Sequence, residues 1–246
     1  MRWWIFTKRC GKEILRDPLT IAFGAGFPVV ILLLLSVMNR NIPKEAAMSM
    51  FAIENLLPGV VVFGFSFLAL FGGLLLATDR ETAFLTRLFT TPLRASDFVL
   101  GYTLPLLPVG IAQLALSLVV GLCFGLTPSV HFLTLALFLL PPLVLFVSIG
   151  LLFGSLMSAK QTGSLCGALL TNVSAWLSGT WFSLDLLGNT FKRIAYVLPF
   201  ANAVDAARAA LVGDVRAALP HTLIVLAWAS LCFVLALLAF RRVMRK

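Results

Sequence analysis

The chain has 246 residues, of which 60% are hydrophobic and 12% charged, with a formal net charge of +9 and a mean hydropathy of +1.02. An ordinary soluble domain is about 45–50% apolar and about 25% charged, so no soluble fold could hide this much apolar surface and the chain is an integral membrane protein. The excess of bases does not point to nucleic acid, because the bases flank apolar runs in the manner of the positive-inside rule.

Residues 1–18, MRWWIFTKRCGKEILRDP, place Trp3, Phe6, Cys10 and Ile14 on one helical face and Lys8, Arg9, Lys12, Glu13 and Arg16 mostly elsewhere. The pattern predicts an interfacial helix in the headgroup region, with Trp3 and Trp4 at the interface and Pro18 closing it. The apolar run that follows is too long for a cleaved signal peptide, and no A-x-A-like site follows. Residues 19–38 are uncharged and about as long as the ~20 residues that cross a bilayer, which predicts the first span, kinked near Gly24, Gly26 and Pro28. A polar loop, 39–55, carries Arg40, Lys44, Glu45 and Glu54. The second span is 56–78; its Phe63, Phe65, Phe67 and Phe71 could line a path for an apolar substrate, although packed or lipid-facing rings are the commoner arrangement.

Next comes a polar island, 79–97, holding Asp79, Arg80, Glu81, Arg87, Arg94 and Asp97 between two uncharged runs. A charge at the bilayer centre costs at least ~2.5–3.5 kcal/mol, so the island lies outside the hydrocarbon. Within it Phe84, Leu85 and Leu88 recur at helical spacing until Pro92 ends the pattern. This predicts a short amphipathic helix at the membrane surface, which either meets a soluble partner or anchors a loop.

Residues 98–126 form the third predicted span, interrupted by Pro105 and Pro108, and 132–157 the fourth, with Pro141 and Pro142 inside it. The connection 158–161 is short, and 162–184 is the fifth span. The mixed segment 185–218 contains apolar pieces too short to cross, and 219–240 is the sixth span before the tail RRVMRK. Small-xxx-small pairs at Gly121/Gly125, Gly150/Gly154 and Gly163/Gly167 permit close helix approach without marking which helices meet. Cys10, Cys123, Cys166 and Cys232 form no CxxC pair or Cys/His cluster, so no metal site or disulfide framework is indicated. His131 and His221 stand at the edges of apolar runs, as interfacial residues do.

Six spans place both termini on one face, together with the polar island and the short connection. That face holds 13 of the 19 Lys and Arg, which marks it as cytosolic and puts 185–218 outside. GxxxxGK[ST], HExxH and GxSxG are absent, so this chain does not hold a nucleotide or run hydrolytic chemistry by those routes. The spans have essentially no Asp, Glu, Lys or Arg at mid-depth, where ion-coupled carriers usually need them. If the protein moves a substrate uphill, its energy comes from a partner. A non-transporting membrane assembly or scaffold protein fits the same hydropathy, and an ion-coupled secondary carrier is a third reading, since backbone carbonyls could bind sodium without carboxylates.

Two motifs carry a resemblance. Residues 80–92, RETAFLTRLFTTP, are similar to the RExGTLExLLxTP stretch of the ABC-2 permeases, the membrane subunits of type 2 ABC transporters; Arg80, Glu81, Leu85, Leu88, Thr91 and Pro92 match, while Ala83, Phe84 and Thr86 depart from it. Residues 178–213 resemble that family's SGTFFPL…P…A.D..R signature through Ser178, Gly179, Leu184, Pro199, Asp205 and Arg208, with Ser183 replacing the usual proline. The resemblance implies an all-α permease subunit of an exporter in the cell (cytoplasmic or inner) membrane, without enzymatic activity or a cofactor of its own. Two copies, or one copy with a related chain, would form the pore, a homodimer being the expectation. Two ATP-binding subunits, which carry ATP and Mg, would dock on a coupling helix through Arg80, Glu81, Phe84, Leu85, Arg87, Leu88 and Pro92. Ser178, Gly179, Pro199, Asp205 and Arg208 would shape short re-entrant helices on the outer side, with Asp205 and Arg208 close enough to pair on a helix. Helices one, two and five line the path in the family, which makes Phe63, Phe67 and Trp176 candidates for contact with a drug, lipid or glycan.

Overall fold

The computed structural model describes residues 2–42, 51–88 and 93–244, with backbone only for Arg2, Ala83, Thr86 and Arg87. All regular structure among the described residues is helical. Helix α1 (Arg2–Arg16) buries Phe6, Cys10 and Ile14, the face the spacing predicts, whereas Trp3 stands off that face and is exposed with Trp4. Pro18 does more than end α1. It opens α2 (Pro18–Asn41) at a position where its missing N–H costs nothing, while the Asp17 carboxylate caps the Leu19 and Thr20 N–H groups. The expected kink in α2 is a π-helical turn at Ala22–Gly26, just before Pro28.

Helix α3 (Ile53–Glu81) runs three residues past the predicted end of the second span, so Asp79, Arg80 and Glu81 form its last turn. The amphipathic helix of the island is α4 (Ala83–Leu88). Helix α5 (Ala95–Cys123) starts where the Asp97 carboxylate accepts the Arg94 N–H, and α6 (His131–Leu156) follows. Helix α7 is built from Ala159–Ser164, a π-helical segment Leu165–Leu170 and Thr171–Leu177. It begins at a Ser158/Gln161 capping box and stops short of the predicted 184, because Gly179 takes φ +68 in the turn beyond Ser178. A 3-10 turn (Leu184–Leu187), α8 (Asn189–Val197) and α9 (Pro199–Val212) occupy the mixed segment, and α10 (Val215–Val243) ends the described chain. At 1.5 Å per residue neither α8 nor α9 reaches across ~30 Å of hydrocarbon. Among the described residues, five helices are long and apolar enough to cross: α2, α3, α5, α6 and α10. The protein is an all-α, multi-span membrane protein. Helix α7, which carries Lys160, Gln161 and Asn172, is not among those five.

Helix α3 is the axle. Its most apolar window is 72% buried, against 28% for α2 and for α10. It packs most extensively on α6, and glycines explain how. A Cβ on Gly150 would overlap the Ala69 carbonyl, and one on Gly154 or Gly73 would overlap the facing backbone of Gly73 or Gly150. Of the three small-residue pairs in the sequence, Gly150/Gly154 is the one pressed backbone to backbone. A Cβ at Gly163 or Gly167 would make ordinary contact with Leu74 or Leu70, at 3.4 and 3.5 Å.

Gly150→Ala is therefore expected to destabilise the protein by about 1–3 kcal/mol through overpacking. Gly163→Ala should stay within about 0.5 kcal/mol of the parent. Unfolding midpoints of the purified proteins in one detergent provide the comparison.

Candidate functional site

The island expected to face a partner is bonded into the chain. Asp79 is 5% exposed at the end of α3. Arg9 of α1 grips it with both terminal nitrogens, at 2.5 and 2.9 Å, and the Tyr102 hydroxyl of α5 donates to it at 2.6 Å. Arg9 also pairs with Glu13 at 2.8 Å and lies over the Phe84 ring of α4, 3.9 Å from its centroid. Burial alone would lower the Arg9 pKa, but the hydrogen bond and charge of Asp79 outweigh it and hold the guanidinium ionised. Beside it, burial pushes the Cys10 thiol up to about 12, so that group is an apolar filler. Phe6 seals the contact edge-on to Phe98 and Tyr102, at 5.2 and 5.1 Å between centroids. Four elements of the chain, α1, α3, α4 and α5, meet at this one carboxylate and its arginine.

Arg80 and Glu81 behave as a clamp. Arg80 donates to the carbonyls of Ser155 and Met157 where α6 ends, and the Glu81 carboxylate accepts the Ala159 N–H, at 2.8 Å, where α7 begins. A cation on a helix C-terminus beside an anion on a helix N-terminus is the favourable pairing at both ends. Both had been expected as charges for a partner, and both are engaged within the chain. Leu85 is 1% exposed, and Phe84 and Leu88 are half-buried against the core. The apolar face expected to dock on a partner is largely turned onto the protein itself. The side chain of Arg87 and all of Pro92 and Thr91 lie outside the described residues.

At the other end of the spans, Asp205 and Arg208 pair as their spacing suggests, at 3.6 Å. The shorter bonds show what each does. Asp205 accepts the Tyr196 hydroxyl at 2.6 Å, while Arg208 donates to the carbonyls of Asn55 at 3.1 Å and Gly179 at 3.0 Å. Arg208 thus ties α9 to the start of α3 and to the turn after α7. Ser178 and Thr180 share a hydroxyl bond of 2.7 Å in that turn, and Pro199 occupies the first turn of α9. Asn202 joins the Tyr196 and Leu198 carbonyls to the ring of His221, so that histidine is a fastening rather than a bystander at the interface.

Phe63 and Phe67 belong to one aromatic cluster with Phe23, Phe27 and Trp181, with ring centroids 5.3–6.2 Å apart. Trp181, missed in the sequence, meets the Phe63 ring edge-on from the turn beyond α7. Trp176 stands apart, 60% exposed and set against Phe182. No group of three or more His, Cys, Asp or Glu side chains among the described residues could hold a metal.

A family model described as ABC-2 type transporter matches residues 1–212. No curated protein matches the chain.

Asp79→Asn should lower stability by about 1.5–3 kcal/mol and Tyr102→Phe by about 1 kcal/mol, as expected for bonds to an ion and for removal of one of them. A double-mutant cycle of Asp79→Asn with Arg9→Gln, read by chemical unfolding in detergent, should show strongly non-additive losses. Additive losses would mean that the two groups do not act as a pair.

Proposed function

The chain belongs to the ABC-2 type transporter family, and on that premise we propose that it is the permease half of an ATP-driven exporter in the cell membrane. Membrane components of this family are non-catalytic, so the chain is a transport component and not an enzyme. They pair with an ATP-binding cassette subunit. In the proposed assembly two permease copies form the path, and two ATP-binding chains, with their ATP and Mg, sit beneath α4. Helix α7 serves as a sixth crossing, which puts both termini and α4 in the cytosol and α8 and α9 outside. The cargo is a hydrophobic or amphipathic molecule (a drug, lipid or glycan), and Phe63, Phe67 and Trp181 are its nearest candidate contacts.

The observation that carries this reading is the convergence at Asp79. A six-residue surface helix is not by itself a lever. Phe84 of α4 lies against Arg9, Arg9 is bonded to Asp79, and Asp79 is bonded to Tyr102. A push on α4 therefore reaches α1, α3 and α5 together. The next residues of α3, Arg80 and Glu81, pass it to the ends of α6 and α7. Docking uses what α4 leaves exposed, including the exposed part of the half-buried Leu88.

Co-expression with an ATP-binding chain tests the reading. Arg87→Glu and Leu88→Asp should each leave the protein in the membrane with its unfolding midpoint kept by at least the first, yet remove copurification of the ATP-binding chain. Arg9→Gln should keep the partner but reduce transport per ATP by about 5-fold or more, the lower range of site-to-site coupling. Undiminished copurification in both α4 variants would take that helix out of the docking role.

A further inference from the structure

Serine and threonine inside helices usually return the hydroxyl to a carbonyl one turn back. Ser66, Ser117, Ser155, Thr103 and Thr222 all do so here. Ser36 and Ser148 do not, and Ser148 is sealed among packed helices at 0% exposure. Ser36 is different. It is 5% exposed, its Oγ has no partner, and it lines a cavity of about 420 Å³ at the end of α2. Three residues on, Asn39 lines the same cavity, with its Oδ1 also buried and unpartnered. The remaining lining includes Arg40, Phe51, Cys123 and Phe124. One bridging water, at about 30 Å³, is far too small to account for such a space.

Among the described residues, Arg40 is the one charged side chain that lines this cavity, and Glu54 follows the lining residue Ile53 in the chain. Arg40 is exposed and forms no ion pair among the described residues, and neither does Glu54 on the first turn of α3. The cavity also collects three helix ends. The C-termini of α2 and α5 bring partial negative charge, and the N-terminus of α3 brings partial positive charge with no side chain capping it. A simple anion would be repelled by two of the three ends, and a simple cation by Arg40. A zwitterion satisfies all of them. Below the cavity, Val37, Leu33 and Val30 lie three, seven and ten residues before Arg40, on its side of the helix, and all three are exposed. They form an apolar track from the cavity rim into the hydrocarbon.

We propose that this cavity binds the headgroup of a phospholipid carrying a phosphate and a primary ammonium, as phosphatidylethanolamine does. Arg40 and the Ser36 hydroxyl donate to the phosphate, which sits toward the α3 N-terminus. The ammonium donates to Asn39 Oδ1 and faces the carbonyl ends of α2 and α5, and an acyl chain lies along Val37, Leu33 and Val30. The bound lipid joins three helices at the membrane face opposite Asp79. It lies apart from the Phe63 cluster and needs neither ATP nor a partner chain, so its test is independent of the transport reading.

Cys123 provides the reporter, because it lines the cavity and is exposed while Cys10, Cys166 and Cys232 are buried. The full chain is reconstituted in vesicles of phosphatidylcholine alone, with added phosphatidylethanolamine, or with added phosphatidylglycerol, and alkylation of Cys123 by a membrane-impermeant maleimide is timed. Phosphatidylethanolamine should slow alkylation about tenfold, the size of one charge-assisted bond. Phosphatidylcholine, whose ammonium has no N–H, and phosphatidylglycerol, which has no ammonium, should not. Arg40→Gln and Ser36→Val should each abolish the protection, while the exposed Arg193→Gln, outside the cavity, should keep it. Unfolding midpoints verify that each variant is folded, and native mass spectrometry of the delipidated protein titrated with the same lipids gives a second readout. Equal alkylation in all three vesicles, protection by phosphatidylglycerol as strong as by phosphatidylethanolamine, or protection that survives Arg40→Gln would each overturn the assignment.

Discussion

A carboxylate buried at the end of a membrane helix constrains everything around it. Asp79 is 5% exposed and ionisable, and removing a single partner from such a group leaves an uncompensated buried charge, commonly a loss of about 3–5 kcal/mol. Arg9 therefore cannot leave, and α1 cannot leave with it. That explains why an interfacial helix with exposed Trp3 and Trp4 is fixed to the body instead of floating at the headgroups. It also explains the aromatic seal. Tyr102, with Phe6 edge-on to it and to Phe98, shields the Asp79 side of the ion pair from water, which strengthens the pair and makes its loss more costly.

The same helix is tied at its other end. Arg208 reaches the Asn55 carbonyl at the start of α3, and Gly59 leaves room for Thr180. Between the two ends, α3 is pressed to α6 through glycine backbone and hydrogen-bonded to α5 where Gln113 donates to the Val61 carbonyl at 2.9 Å. Gly64 is what lets Gln113 lie there, since a Cβ would overlap its amide. Polar fastenings at both ends and a close-packed middle make α3 a stiff member, and force applied at Asp79 moves it as a unit.

Much of this was legible in the sequence, for a definite reason. The penalty for a charge in hydrocarbon is large and local, so runs such as 56–78 and 219–240 locate α3 and α10 to within a few residues. The segment 185–218 was readable as non-spanning because Lys192, Arg193, Asp205 and Arg208 break it. Roles that depend on distant partners were not readable. Arg80 and Glu81 look like surface charges in a polar island until the α6–α7 turn, some 75 residues on, supplies their partners. Leu85 has the spacing of an exposed amphipathic face, yet the face turns inward. Asp205 and Arg208 were visible as neighbours, whereas Tyr196, Asn55 and Gly179, which hold them, were not. Trp181 escaped notice because its value lies in a turn whose course is set by Gly179.

A stiff axle narrows where the molecule can bend. Among the described residues two helices contain π-helical segments, Ala22–Gly26 in α2 and Leu165–Leu170 in α7, where the regular ladder of backbone bonds is rearranged and bending is least resisted. Neither segment lies in α3, α5, α6 or α10. Helix α2 is also among the least buried of the long helices, so moving it breaks few contacts within the chain. The aromatic cluster bridges these parts: Phe23 and Phe27 belong to the π turn and the helix beyond it, Phe63 and Phe67 to the axle, and Trp181 to the turn that follows α7. A shift of α3 against either pliant helix must therefore repack those rings. Ring-on-ring geometry adds only about 0.5–1.5 kcal/mol per pair beyond the burial of the rings, weak enough to exchange partners where the buried ion pair and the glycine seam are not.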